Sequence, residues 1–167
     1  MHLTEPVTTL TDYGLAAVSL AFAIWMGRSI NSANRVTAWF WCVAFMASGV
    51  AALSGGTWHG LAAHPDAGMR QVLWNLVMFS MGASGAFMVA GIHAANVRRK
   101  DGTVKWLVLG IVATLLAVGI RHAGLPMSAD VKHNDAYHLI QLVGLYFFYR
   151  CARTVRDRPG VPSSQWQ

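Results

Sequence analysis

Lys132-His133-Asn134-Asp135-Ala136-Tyr137-His138 opens the last apolar run of the chain, Leu139 to Tyr149, and Arg150 closes it. An acid and two histidines thus lead straight into a membrane-type helix, where ionisable groups are costly and mark functional candidates. On a helix, Asp135 and His138 stand three residues apart and share a face, which Leu142 and then Leu145 or Tyr146 continue. What that face meets governs the reading of everything upstream.

The whole composition points the same way. Of 167 residues, 54% are apolar and only 12% charged, with a mean hydropathy of +0.40, too little polar surface for an ordinary soluble domain. The expected fold is all-α, an integral membrane bundle of five transmembrane helices in a single domain. A formal charge of +6 raises the question of nucleic acid, but the basic residues punctuate apolar runs and form no aromatic-interleaved patch. Membrane lipid is therefore the expected partner, with no nucleic acid. Cys42 and Cys151 are too few for a disulfide framework and are expected as free thiols. No basic residue precedes the first apolar run, which argues against a cleaved secretory signal.

A span needs about 20 residues. The first is Tyr13 to Gly27 extended back through the threonines before it, which places Asp12 a turn inside its boundary. Arg28 to Arg35, with Asn31 and Asn34, reads as a short polar loop. Val36 to Trp58 is the second span, with small residues at Ala47, Ala51 and Gly55 that admit a close neighbour, and it ends in Ser54-Gly55-Gly56-Thr57-Trp58-His59-Gly60. Gln71 to Val97 is the third, striped by Gly82, Ala86 and Ala90. Trp106 to Ile120 is the fourth, short unless Arg121, His122 and Ala123 belong to it. The fifth, counted back from Arg150, reaches Val131 and embeds Asp135 and His138. The transmembrane domain is expected over 1–152, followed by a basic tail, 153–167, whose Pro and Ser content reads as disordered.

Lysine and arginine set the expected orientation. With the N-terminus outside and the C-terminus inside, Arg28, Arg35, Arg98, Arg99, Lys100, Lys105, Arg150, Arg153, Arg156 and Arg158 gather inside, against Arg70, Arg121 and Lys132 outside. The expected location is a cell membrane of bacterial inner-membrane type, with the chemistry toward the periplasmic side. There Asp12, His59, Arg121 with His122, and Asp135 with His138 arrive at one depth from four helices.

Imidazole and carboxylate groups from separate helices suit zinc, whose catalytic sites take three protein ligands and leave one position for water. The expected metal ligands are His59 and His138, with Asp135 or His122 third. Asp12 is the candidate base or the group that orients a histidine or the water. Plainer readings stand beside these. Asp135 N-caps the last helix; His138 is a polar packing residue; His59 is interfacial beside Trp58; Asp12 pairs with Arg121. His2, His64 and His133 read as solvated, and His93 as interfacial.

The run Tyr137-His138-Leu139-Ile140-Gln141-Leu142-Val143-Gly144-Leu145-Tyr146 resembles the last helix of the superfamily of alkaline ceramidases, hemolysin III-like proteins and adiponectin/progestin receptors. Ser54 to His59 is similar to that superfamily's early helix, where a serine precedes a terminal histidine. The resemblance implies a zinc site built by an early and the final helix, with a serine, here Ser54, and an aspartate near the bound water. In the members that are enzymes it implies hydrolysis of lipid amides. Those proteins have seven helices and a His-x-x-x-His last helix, whereas here Asn134 stands four before His138.

The expected function is accordingly a membrane-embedded, zinc-dependent hydrolase of a lipid-like amide or ester near the outer face, with His59, His138, Asp135 and His122 on the metal and Asp12 and Ser54 in support. One alternative is a redox subunit in which His59 and His138 ligate haem b axially. Another is a non-enzymatic accessory subunit packed into a larger membrane complex through its small-residue faces, or a homo-oligomer that shields the site between copies.

Overall fold

The structure, a computed structural model, describes residues 5–60, 66–95, 102–123 and 133–156. His2, His64, Arg98 to Asp101, Lys132 and the segment from Asp157 onward lie outside the described residues, as do the side chains of Arg121, His133 and Asn134. All regular structure among the described residues is helical: α1 Pro6–Arg28, α2 Arg35–Gly60, α3 Ala67–Ala94, α4 Thr103–Ala123 and α5 His133–Arg156.

Local chemistry explains the boundaries. Pro6 sits at the first turn of α1, where a missing N–H costs no helical hydrogen bond. The α1–α2 turn is stapled by two asparagines: Asn31 Oδ1 accepts from the backbone N–H of Ala33 and Asn34, and Asn34 Oδ1 accepts from Asn31 N–H at 2.8 Å. Asp66 caps α3 by accepting from Met69 N–H at 2.7 Å. The last helix runs on to Arg156, a turn into the stretch read as tail.

α1 packs against α2 and α5, α2 also against α3 and α5, and α4 against α5. Helices α1 and α5 run parallel and in register. Thr8 bonds Asp135 at one end and Ser29 bonds Arg156 at the other, each pair 127 positions apart. Between them Phe22 stacks on Tyr149, centroids 4.2 Å apart, at the same sequence offset. Thr8, Phe22 and Ser29 are spaced by multiples of seven, the repeat that keeps two helices in contact along a left-handed seam. The buried positions of α1 follow it: Asp12, Ser19 and Met26 on one track, Thr9, Ala16 and Ala23 on the next. Both tracks begin polar and end apolar.

The apolar end holds the core, with Phe22, Met26, Trp41, Phe45, Leu145, Cys151 and Ala152 in one cluster. Gly91 lets α3 close on that cluster, since a Cβ there would lie 2.9 Å from the Trp41 ring. Among the described residues neither Cys42 nor Cys151 is in a disulfide. Outward faces stay apolar, with Val72, Phe79 and Val89 on α3 and Leu115 and Leu116 on α4 all exposed.

Among the described residues four helices, α1 to α4, are long and apolar enough to cross a membrane. The sequence reading had five apolar spans, and α5 is the exception. It is 24 residues long, but Asp135 and His138 at its start and Arg150, Arg153 and Arg156 at its end dilute its apolar character. Its position accounts for this: lying between α1 and α4 and touching α2, it turns Asp135 and His138 to protein, both buried.

Candidate functional site

The polar ends of the α1 tracks meet α2 and α5 in a ladder. At the top, Glu5, the residue preceding α1, places Oε2 2.7 Å from Nδ1 of His59 near the end of α2, in hydrogen-bonding geometry. In the middle, the Thr8 hydroxyl donates to Asp135 Oδ1 at 2.8 Å. At the bottom, Asp12 Oδ1 lies 2.7 Å from Nδ1 of His138. Successive rungs stand three and then four residues apart on α1, so top and bottom differ by about 10 Å of helix rise.

Burial deepens down the ladder. The Glu5 and His59 side chains are 31% and 17% exposed, those of Asp12 and His138 5% and 7%. The deep pair is also imperfectly joined. Although Nδ1 and Oδ1 are in ion-pair contact, Oδ1 stands off the N–H axis, and Nδ1 makes no hydrogen bond among the described residues. Asp12 Oδ2 and the nearby Thr9 hydroxyl are likewise buried without a hydrogen-bond partner. Buried polar atoms of this kind are rare, and clustered ones mark strain or chemistry.

Glycine makes room for the acid. A Cβ at Gly55 would stand 3.3 Å from Asp12 Oδ2, and one at Gly56 would meet the Tyr13 ring at 2.8 Å and Asp12 Cβ at 3.0 Å. Gly55 and Gly56 lie in unbroken helix, bare of side chains so that α1 can approach.

The residues singled out from sequence therefore divide. Asp12 and His138 come together, and Asp135, in the first turn of α5, joins them on the next rung with Thr8. His59 lies on the top rung with Glu5. Ser54 is buried on α2, with no hydrogen bond to Asp12 or His138 among the described residues. His122 is exposed on α4. The expectation of polar groups converging at one depth thus gives way to a vertical series, because residues on one helix face stack along the axis. Glu5, Thr8 and Thr9 were not singled out, yet with Asp12 they follow the i, i+3, i+4, i+7 spacing of a single helix face.

Among the described residues no three His, Cys, Asp or Glu side chains are gathered so as to hold a metal ion. The donor set does not fit a three-ligand zinc centre, since the two histidines occupy different rungs and each faces a carboxylate. What the deep pair can do is proton chemistry. With Nδ1 turned to the Asp12 carboxylate, Nε2 of His138 is the nitrogen left to accept or release a proton.

No curated protein and no solved structure matches the chain. The profile of a family of unknown function, DUF6962, matches residues 7–93 and again 83–157, a span that takes in the two lower rungs of the ladder and His59 of the top one. The chain belongs to the DUF6962 family.

Proposed function

We propose that this is an integral membrane protein whose Asp12–His138 pair is an acid–base centre, with His138 moving a proton in the hydrolysis of a lipid-like ester or amide that arrives from the bilayer. The observation that carries the proposal is the buried, misaligned pair and its orphaned carboxylate oxygen. A group made only for packing satisfies its partners, whereas an ionisable pair kept unsatisfied among apolar helices is costly and is retained for what it does. The Asp12 carboxylate faces Nδ1 of the imidazole, and His138 Nε2 draws a proton from water. The substrate class comes from the resemblance of Tyr137 to Tyr146, and the side of the membrane from the lysine and arginine bias, which puts the ladder outside.

The test is hydrolysis of fluorogenic long-chain esters and amides by the purified protein in detergent, beside Asp12→Asn and His138→Gln. Loss of at least about a hundredfold in turnover in both variants, with folding retained, is the expected result, the usual contribution of a general base. Unchanged turnover in folded variants would overturn the assignment.

One observation favours the zinc-dependent reading as a second reading: the His59 imidazole engages Glu5 through Nδ1, the arrangement that orients metal-binding histidines, and His138 turns the same nitrogen toward Asp12. It requires a rearrangement that brings His59, His138 and a third donor to one level. Elemental analysis decides it, with about one zinc per chain, lost in His59→Ala and His138→Ala, as the result in its favour. A Soret band in the same sample would instead favour haem b between those histidines.

A further inference from the structure

The opposite end of the bundle carries a second constellation, unrelated to the ladder. Trp106, in the first turns of α4, receives two cations at once: the Arg150 guanidinium carbon lies 4.3 Å from the indole centroid and the Lys105 ammonium 5.1 Å. Arg150 also reaches Tyr146, donating from Nη1 to the phenol oxygen at 2.9 Å. Lys105 and Tyr146 are exposed, Trp106 and Arg150 half-buried. Among the described residues neither cation has a carboxylate in ion-pair contact.

Two positive groups drawn to one ring repel each other, and the ring's negative face offsets only part of that repulsion. An anion that meets both cations would offset the rest. Arg150 spends one N–H on Tyr146, and its planar fork has more to offer, while the ammonium adds a compact charge with three donors. Aromatic residues with Lys and Arg at the ends of apolar helices mark the headgroup level of a bilayer, where the abundant anion is phosphate.

We propose that the α4–α5 cluster of Lys105, Trp106, Tyr146 and Arg150 binds the phosphate of an anionic phospholipid headgroup. Lys105 and Tyr146 are its exposed members, Trp106 and Arg150 its half-buried ones.

The test is a native mass spectrometry titration of the full chain in detergent with phosphatidylglycerol, phosphatidylcholine and inorganic phosphate in separate arms. Phosphatidylglycerol is expected to bind at about one per chain, more tightly than phosphatidylcholine, and to weaken about fivefold on removal of each cation in Lys105→Gln and Arg150→Gln. Lys105 is exposed, so Lys105→Gln carries the test should Arg150→Gln unfold. Arg28→Gln removes a cation from the same end of the bundle away from Trp106, and binding is expected to be unchanged. Equal loss in Arg28→Gln would show diffuse attraction to the whole basic end and overturn the site, as would equal affinity for the two lipids. Tight binding of inorganic phosphate that Lys105→Gln weakens would uphold the anion site but assign it to free phosphate rather than lipid.

Discussion

Two histidine–carboxylate pairs stand about two turns apart along the axis of α1, each with a carboxylate oxygen 2.7 Å from Nδ1, and they differ in depth and alignment. Glu5 and His59 are partly exposed and meet in good hydrogen-bond geometry; Asp12 and His138 are buried and meet off-axis, with an oxygen left over. The first pair is what a rim looks like: water shares the charge, so alignment is easy and the energy small. In the second, low polarity strengthens the attraction and the desolvation penalty alike, and packing rather than hydrogen bonding fixes where the groups sit. Charge alone therefore does not rank the pairs; depth does.

The ranking can be broken most directly by His138→Ala. Stranding the buried Asp12 carboxylate is expected to cost about 3–5 kcal/mol, read as a lowered unfolding transition in detergent. Adding Asp12→Ala should recover part of that loss, and strictly additive losses would mean the two groups do not interact. Next in size is Thr8→Val, which removes the hydroxyl donated to buried Asp135 and is expected to cost about 1–3 kcal/mol by the same measurement. At the rim, Glu5→Gln is expected to cost at most about 1 kcal/mol, and less as salt is raised. A rim loss as large as that of His138→Ala would erase the distinction. Smallest of all, His122→Ala is expected to stay within about 0.5 kcal/mol, since its side chain is exposed on α4.

These contrasts also show which signals were legible. Long uncharged runs such as Val36 to Trp58 carried their helices without ambiguity, because 20-odd apolar residues have few other uses. His138 and Asp12 stood out because a charge inside such a run is an anomaly. Glu5, Thr8 and Thr9 did not, since threonines near a helix start look like ordinary caps and turns. Their significance lies in a face shared with Asp12 and in the seven-residue tracks that continue to Met26 and Ala23. His59 was rightly placed at the end of α2, but nothing local revealed that Glu5 would claim it. The zinc expectation treated helix ends as points at one level, whereas residues three and four apart on α1 lie on successive levels.

By itself the sequence determined the helical fold, the approximate positions of the helices and the sorting of most acids and histidines to one end and most lysines and arginines to the other. Apolar length and charge placement are properties of the chain read locally. Only the tertiary structure decided which imidazole meets which carboxylate, that α5 lies against α1 in register, and that Gly55 and Gly56 clear the space for Asp12. Partners 54 and 127 positions apart are chosen by how helices stack and rotate against one another, and no local stretch encodes that.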